Sequence, residues 1–478
     1  MENILYKVST TNLTDIQRVF EAQQLNAQSV ALTSHRERIA KLKSLQEWLE
    51  KNEERVYAAI YKDFRKPSAS VMTTELLPLF TELKHTISNL RTWMKPTKVA
   101  APLPLLGTKS YIQYEAKGVC LIISPWNYPF LLAIHPLVAA ISAGNTAMIK
   151  PSELTPNTSA VICEMVEELF NENEVAVFEG GVEVSQELLA KPFNHIFFTG
   201  SPKVGKIVMK AAAEHLASCT LELGGKSPTI VDKTANMFST GQKIAWGKLI
   251  NNGQTCTAPD YILVEKKVKD KLIKSIVKFW KKMLNPNFEG IKNSPDYARI
   301  VNKHHFNRLK SLMEDAIEKG AKIEFGGDLD ESENYFSPTI LSNITNDMRI
   351  AHEEIFGPIL PIFTWENKED ALKHILERPK PLALYIFTKS TSFKEYFLKT
   401  TSSGGTVVND CLIHYAHKDL PFGGVNNSGI GRGGGHFGFV DFSNVRPVLE
   451  QKWGQTSMLF PPYTDKVKSL TNFIAKWL

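Results

Sequence analysis

The chain is short of three features that would each point to a particular class of protein. It has five cysteines in 478 residues and no Cys-x-x-Cys pair, which fits a reduced, intracellular chain. Its longest nearly apolar run, 130–143, is too short to cross a bilayer, and its start does not resemble a signal peptide. A net charge of +6 is small for this length, so no nucleic-acid partner is predicted. We expect a cytoplasmic protein with no integral membrane span and no metal site.

Length and patterning predict a globular α/β protein of two or three domains. A chain of 478 residues with 43% hydrophobic and 22% charged residues is too long for one ordinary core. Residues 12–98 have helical periodicity. From Lys117 onward, amphipathic helices alternate with four predicted strands, at 118–123, 146–150, 175–178 and 195–199. This alternation is typical of a doubly wound parallel sheet.

Several helix boundaries in these blocks can be anticipated. Thr155 is expected to cap one helix, with Pro156 in its first turn, and a helix over 202–216 is expected to follow the fourth strand. A second α/β block runs from after Glu222 to about residue 413. Its helix at 266–283 carries eight lysines, which we interpret as a solvated face.

The most informative residues are a thiol and a carboxylate set among glycines. Cys256 lies three residues after Gly253, and Glu222 lies 34 residues upstream, just before Gly224 and Gly225. A thiol supplies a nucleophile and a carboxylate a general base, while glycines let the backbone approach a ligand closely. Taken alone, Cys256 is more typical of a buried cysteine in a turn than of a nucleophile.

Two further motifs accompany this pair. Asn127 follows the first predicted strand, between Trp126 and Tyr128. The stretch 353–358 reads Glu-Glu-Ile-Phe-Gly-Pro. With these four motifs in this order and spacing, the chain from about residue 10 to 460 resembles the aldehyde dehydrogenase superfamily.

The resemblance implies a division of the chain into distinct parts. An NAD(P)-binding domain would comprise 1–98 and 117–222, and a catalytic domain would comprise 223–415. A small bridging sheet used in oligomerisation would comprise 99–116 and 416–450. Residues 451–478 are predicted as an amphipathic tail, which could touch a membrane surface; docking on the protein's own surface or a partner subunit is favoured.

The resemblance also implies oxidation of an aldehyde to a carboxylic acid. A Cys256 thiolate would attack the carbonyl carbon, loss of hydride would leave a thioester, and water would hydrolyse it. The Asn127 amide and the Cys256 backbone N–H would hold the oxyanion. Glu222 would activate either the thiol or, as we favour, the hydrolytic water, and the sequence leaves both roles open.

Further positions are assigned to the cofactor by the same resemblance. Lys150 and Glu153 would lie at the adenosine ribose, where Glu153 favours NAD and Lys150 would attract the 2′-phosphate of NADP. NAD is therefore expected, and use of NADP stays open. The other assigned positions are Gly200, Ser201 and Gly205 at a strand-to-helix turn that could bind phosphate, Leu223, and Glu354 and Phe356 at the nicotinamide and its ribose.

Other stretches resemble the class 3 branch of the family, whose members are dimers acting on aromatic and medium- to long-chain aliphatic aldehydes. These stretches are 61–67, 403–410 and 435–439, so a homodimer is expected. Tyr128, Trp246 and Thr255 are predicted to line a mainly apolar tunnel onto the thiol. An arginine among glycines, at Arg432, departs from the pattern at the substrate mouth.

Two other functions have to be weighed against aldehyde oxidation to an acid. A related oxidoreductase could pass the thioester to coenzyme A or phosphate, but it needs no hydrolytic base, so Glu222 argues against it. A catalytically silent binding protein could share the fold. The joint presence of Cys256, Glu222, Asn127 and Glu354 argues against that reading.

Overall fold

The computed structural model describes residues 12–102, 105–453 and 460–477. The start of the expected cofactor domain, 1–11, and part of the expected tail, 454–459 and 478, lie outside the described residues. The helices are α1 (Leu13–Ala31), α2 (His35–Phe64), α3 (Ser68–Val71), α4 (Leu77–Trp93), α5 (Leu131–Ala143), α6 (Pro156–Leu169), α7 (Val182–Leu189), α8 (Pro202–Glu214), α9 (Met237–Leu249), α10 (Lys269–Leu284), α11 (Lys303–Glu318), α12 (Lys368–Leu376), α13 (Thr391–Thr400), α14 (Gly435–Asp441) and α15 (Asp465–Trp477).

The strands are mostly short, and many follow a helix directly. They are β1 (Thr97–Val99), β2 (Thr108–Ala116), β3 (Val119–Ile123), β4 (Thr146–Lys150), β5 (Val175–Val177), β6 (His195–Gly200), β7 (Ser218–Leu223), β8 (Pro228–Val231), β9 (Tyr261–Glu265), β10 (Lys322–Phe325), β11 (Leu329–Asp330), β12 (Tyr335–Phe336), β13 (Thr339–Ser342), β14 (Ile359–Trp365), β15 (Ala383–Phe387), β16 (Gly405–Val408), β17 (Gly429–Ile430) and β18 (Ser443–Gln451). The four strands expected in the first block are confirmed to within one residue at each end.

The first sheet has the strand order β17-β7-β6-β3-β4-β5. The strands from β7 to β5 pair in parallel, and β17 joins β7 in the antiparallel sense. The chain builds outward from β3 to β5 and then returns to place β6 on the other side of β3. This reversal creates a crevice at the carboxyl ends of β3 and β6, where ligands bind in doubly wound sheets. The expected doubly wound sheet is confirmed.

Both faces of this sheet are covered, as a parallel sheet requires. Cys120 and Ile122 of β3 pack into a cluster formed with α2, α4, α5 and α6. The alternate residues Val119, Leu121 and Ile123 pack on the opposite face with α1, α7 and α8. The period-2 alternation of a strand therefore divides one apolar run between two helical layers.

One helix of this sheet starts differently from the expectation. Thr155 precedes α6, but its side chain makes no capping hydrogen bond. Instead, the Asp63 carboxylate at the end of α2 accepts hydrogen bonds from the backbone N–H groups of Asn157 and Thr158, at 3.1 and 2.9 Å. The cap comes from a residue distant in sequence, so local spacing could not reveal it.

The second sheet has the order β10-β13-β14-β9-β8-β15-β16 and is parallel except for β10. On one face it packs against α9 and α10, with Leu272, Ile276 and Phe279 of α10 buried. Seven of the eight lysines expected on this helix are exposed and Lys269 is half-buried, in agreement with the solvated face. The expected second α/β unit is confirmed.

A third, antiparallel sheet has the order β1-β2-β18. Nine residues of β18 pair in register with β2. The boundaries expected for this part need two corrections. Thr97 and Lys98, placed with the cofactor domain, belong to this sheet, and the β17 segment, placed with the bridging part, joins the first sheet. The rest of the domain division stays a prediction.

The tail ends in α15, whose residues Phe473 and Lys468 are exposed. In the described parts of the chain, no helix is both long and apolar enough to cross a membrane.

Candidate active site

The predicted thiol and its partners meet where loops that follow strands of the first sheet contact loops that precede strands of the second. Asn127 follows β3, and its Nδ2 donates a hydrogen bond to the Gln254 carbonyl at 3.0 Å. The Tyr128 and Thr255 hydroxyls lie 2.5 Å apart. Glu222, near the end of β7, and Glu354 both act electrostatically on the Cys256 thiol. Residues 127, 222, 256 and 354 therefore belong to one site.

The loop before Cys256 is built from unusual backbone conformations. Asn251, Asn252 and Gly253 all have left-handed φ angles, of 50°, 56° and 72°. A Cβ at position 253 would lie 2.2 Å from the Gly357 carbonyl oxygen, so only glycine fits there. The buried Gln254 side chain bonds the carbonyls of Asn251 and Arg299. These contacts make the loop a rigid support for the thiol.

Burial makes the Cys256 thiol a weak acid in this structure. Its pKa is raised to about 12, first by burial and then by the nearby Glu354 and Glu222 carboxylates. The thiol form is therefore strongly favoured at neutral pH. Attack as a thiolate requires a base or a positive charge close to the sulfur.

Glu222 is a buried carboxylate whose charge no hydrogen bond from a described residue stabilises. Neither of its oxygens forms a hydrogen bond with any described residue, the Cys256 thiol included. Burial and the nearby Asp441 hold its pKa well above the ordinary value of 4.5, and Arg432 opposes them. A Cβ at Gly423 would lie 3.0 Å from Oε1. Such a carboxyl has the raised pKa that suits a general base.

Glu354 lies in the same site but has a partner. Its Oε1 accepts a hydrogen bond from the Gly225 backbone at 3.0 Å, and a Cβ at Gly224 would lie 2.3 Å from Oε2. Burial and Asp260 raise its pKa to about 7. The two glycines therefore let this carboxylate approach the backbone that follows Glu222.

A buried ion pair, which we did not predict from the sequence, joins the motifs that contain Glu222, Cys256 and residues 353–358. Lys226 pairs with Asp260, and both side chains are buried. Lys226 also donates to the Glu353 carbonyl at 3.0 Å, and Asp260 Oδ2 accepts from the Ile355 N–H at 2.8 Å. The sequence did carry a signal for this pair, since Lys226 stands four positions after Glu222 and Asp260 stands four positions after Cys256.

A second buried ion pair supports the start of α5, next to Asn127. Lys66 and Glu75 are fully buried and 2.7 Å apart. The other Glu75 oxygen accepts from the N–H groups of Phe130 and Leu131, at 3.1 and 3.2 Å. Glu75, directly before the apolar run 76–80, was the available sequence signal, and it was missed.

The three residues predicted to line the tunnel differ in their burial. The Tyr128 hydroxyl is bonded to Thr255, and the Lys66 ammonium lies 4.2 Å from its ring centre. Trp246 of α9 is 41% exposed, so it is not enclosed with the thiol in this chain alone. The assignment of these three residues to a substrate tunnel stays a prediction.

Several residues expected to bind the cofactor lie at the carboxyl ends of strands in the first sheet. At the end of β4, Lys150 Nζ and Glu153 Oε2 are 2.6 Å apart. Ser201 caps α8 by accepting from the Val204 N–H at 3.4 Å, with Gly200 just before it. A Cβ at Gly205 would lie 2.7 Å from Leu223 Cδ2, so glycine is needed for close packing of α8 on β7.

Two aromatic rings, one shortly after β3 and one in the 353–358 stretch, contact each other. Phe356 has a left-handed φ of 48°, and its ring meets Trp126 edge-on at 5.3 Å. A flat apolar surface of this kind suits a nicotinamide ring.

Comparisons with known proteins agree with this geometry. The chain belongs to the aldehyde dehydrogenase family, whose model matches residues 1–448. It is 45% identical over 433 residues to the 4,4'-diaponeurosporen-aldehyde dehydrogenase of Staphylococcus aureus, covering 90% of this chain and 93% of that protein. It is 40% identical over 439 residues to aldehyde dehydrogenase family 3 member A2 of Mus musculus, covering 91% and 89%.

Solved structures give the same result. The substrate-bound state of Staphylococcus aureus AldH has a TM-score of 0.92 and 42% identity, over 96% of this chain and 99% of that chain. An indole-3-acetaldehyde dehydrogenase of P. syringae in complex with NAD+ and IAA has a TM-score of 0.84 and 26% identity, over 92% and 90%. The protein is thus an NAD(P)-dependent oxidoreductase that converts aldehydes to acids, and the class 3 resemblance is confirmed.

The unpartnered Glu222 carboxylate should cost stability. Because its folded pKa lies above the unfolded value of about 4.5, the folded state binds more protons between those values, and stability falls as pH rises through this window. Glu222→Gln removes this charge. At about pH 8 we expect the free energy of unfolding to rise by about 1–3 kcal/mol, with the gain shrinking toward about pH 4.

Urea denaturation at the two pH values measures this effect. Glu314→Gln, which changes an exposed glutamate of α11, serves as the control and should alter stability little. An unchanged or lowered stability of the Glu222 variant at the higher pH would show that this carboxylate is compensated in solution.

Proposed function

We propose that this enzyme oxidises medium- to long-chain aliphatic or aromatic aldehydes through a covalent adduct on Cys256. Asn127 and the Cys256 N–H stabilise the oxyanion, and Glu222 is the base that activates the hydrolytic water. The observation that carries the proposal is the buried, unpartnered pair of Glu222 oxygens in the site of the thiol. Such a group is costly unless something that enters the site uses it.

The same observation favours water over the thiol as the proton donor to Glu222. The carboxylate makes no hydrogen bond with Cys256, so it is not arranged to accept the thiol proton directly. A bound water molecule could fill the space between them and be deprotonated there. Hydrolysis of a thioester then gives a carboxylic acid without coenzyme A or phosphate as acceptor.

The nucleophile can be tested by removing the sulfur. Cys256→Ser is expected to lower the rate of aldehyde oxidation by at least about 10²-fold, because a buried serine hydroxyl is far harder to ionise. Binding of NADH, followed by its fluorescence, should persist. Activity is measured as NADH absorbance with hexanal and no added acyl acceptor.

Cys163→Ser provides the matched control, since this half-buried thiol lies on α6 and should leave turnover unchanged. A Cys256 variant with near wild-type turnover would rule out the covalent route. A wild-type enzyme that needs coenzyme A or phosphate would instead indicate acyl transfer.

For the cofactor, we propose Gly200, Ser201, Gly205 and Leu223 at the phosphate end, Lys150 and Glu153 at the adenosine ribose, and Glu354 and Phe356 at the nicotinamide end. When bound, the nicotinamide accepts a hydride. The Lys150–Glu153 ion pair leaves Glu153 45% exposed at the crevice. Its charge would repel a 2′-phosphate, while its oxygens accept ribose hydroxyl groups, so NAD should be preferred.

Cofactor choice should respond to the Glu153 charge. Glu153→Gln is expected to raise the NADP-to-NAD ratio of kcat/KM about tenfold, because it removes like-charge repulsion and frees the Lys150 ammonium. Glu187→Gln breaks a similar pair, in which Lys191 Nζ lies 2.6 Å from Glu187 Oε1, and should leave the ratio unchanged. Equal ratios in wild type and the Glu153 variant would place this residue away from the ribose.

The substrate class is inferred from two aromatic side chains on the expected approach to the thiol and from relatives. Tyr128 and Trp246 supply large apolar surfaces on the expected approach to Cys256. One relative is named for 4,4'-diaponeurosporen-aldehyde, and one structural neighbour acts on the aromatic indole-3-acetaldehyde.

Chain length then becomes the test of the tunnel. Each buried methylene can contribute about 0.8 kcal/mol, so KM should fall severalfold per added carbon between propanal and hexanal, and benzaldehyde should be accepted. Trp246→Ala should weaken this dependence, whereas Trp453→Ala, at a 69% exposed site, should not. A lowest KM for acetaldehyde would contradict the tunnel.

We also propose a homodimer in the cytoplasm. The β18 edge of the third sheet is long and largely exposed, and it presents Val445 and Leu449 at 44% and 53% exposure. An exposed strand edge of this length presents unpaired backbone groups that can pair with another chain. All five cysteines are free thiols, which fits a reducing compartment. Sedimentation as a 53.7 kDa monomer would contradict the dimer.

A further inference from the structure

A second buried polar group beside the thiol has no part in the mechanism above. Tyr415 lies in the short helical turn Ile413–Ala416, which follows β16. Its ring meets Phe422 edge-on at 4.9 Å and lies 6.0 Å from the His135 ring. Its hydroxyl oxygen is buried and has no hydrogen-bond partner among the described residues. The ring is fixed by packing while its polar atom is left free.

Packing places this ring near Glu222. Phe422 exchanges two backbone hydrogen bonds with Gly433, at 3.2 and 2.7 Å. Both neighbouring glycines approach the Glu222 carboxylate, since a Cβ at Gly423 or Gly433 would lie 3.0 or 4.0 Å from its Oε1. Tyr415 and Glu222 therefore both lie close to the Phe422–Gly433 bridge.

The electrostatics agree with this placement. The pKa of the Tyr415 phenol lies well above its ordinary value because the group is buried and because Glu82, Cys256, Glu222 and Glu75 lie close to it. The thiol and the proposed base are both within electrostatic range of this phenol. A neutral hydroxyl that can donate and accept hydrogen bonds is the form present at physiological pH.

Tyr128 provides a contrast within the same site. Its hydroxyl is already bonded to Thr255 at 2.5 Å, so one of its hydrogen-bonding positions is occupied. The Tyr415 hydroxyl makes no such hydrogen bond with any described residue. A buried water molecule needs two to four polar partners, and two Glu222 oxygens together with one Tyr415 hydroxyl supply three.

We propose that Tyr415 is a positioning residue for thioester hydrolysis, which holds the attacking water between its hydroxyl and the Glu222 carboxylate. This inference rests on the proposed roles of Cys256 and Glu222. The water oxygen forms a bond to the thioester carbon, and the water proton passes to Glu222. The C–S bond breaks as the Cys256 thiolate leaves. No electrons are exchanged in this step, so no further reactant is needed.

The test is Tyr415→Phe in the full-length enzyme with NAD and hexanal. After rapid acid quenching, mass spectrometry measures the acyl adduct on Cys256. We expect the adduct to form at the wild-type rate, with an unchanged NADH burst, and to hydrolyse about tenfold more slowly because one orienting hydrogen bond is lost. Hydroxylamine, which attacks thioesters without a base, should restore turnover.

Stability separates positioning from a structural role. Because the hydroxyl has no partner in the fold, its removal should leave the melting temperature unchanged or raise it. Tyr396→Phe is the control, since this half-buried ring packs on Phe397 around the second sheet, and it should alter neither adduct formation nor hydrolysis.

Several results would overturn the inference. These are an unchanged rate of adduct hydrolysis, an equal slowing of adduct formation, or a rise in KM with an unchanged kcat, which would make Tyr415 a substrate contact. Failure of the proposed function is recognised separately, because the wild-type enzyme would then form no adduct on Cys256.

Discussion

The arrangement of this site depends on one buried ion pair. Lys226 and Asp260 each follow a reactive residue by four positions, and together they bind the backbone at Glu353 and Ile355. Three loops that are distant in sequence are thereby fixed relative to one another. Removing one partner would leave the other as an unpaired buried charge, which costs several kcal/mol. The positions of Cys256, Glu222 and Glu354 are thus coupled through this one contact.

Much of the fold could be predicted from the sequence, because its signals are local. The strands β3, β4, β5 and β6 are continuous apolar runs bounded by turns, and their alternation with helices fixes the parallel sheet. The α6 cap was misassigned because Asp63, which supplies it, is far away in the chain. Thr97 and β17 were misplaced for a similar reason, since strand pairing depends on partners that periodicity does not identify.

The site shows the same division. Cys256, Glu222, Asn127 and Glu354 were recognised because each lies in a motif with a characteristic spacing, and the structure brings them together. The buried ion pairs that hold these residues in place were not predicted. The pairs Lys226–Asp260 and Lys66–Glu75 join residues 34 and 9 positions apart, and only the folded chain shows that they are buried. Nor could a sequence show that the Tyr415 hydroxyl lacks a partner, because that is a property of the packing around it.

The two buried glutamates near the thiol differ in one respect that separates their roles. Glu354 receives a backbone hydrogen bond from Gly225, which stabilises its charged form and fixes its orientation. Glu222 receives none from any described residue, and burial together with Asp441 holds its pKa well above the ordinary value. A group held by the backbone is suited to orient a bound ligand, whereas a group with free oxygens and a raised pKa is suited to take up a proton. Polar satisfaction, rather than distance from the sulfur, therefore supports the proposed roles of Glu222 as the base and Glu354 as a binding residue.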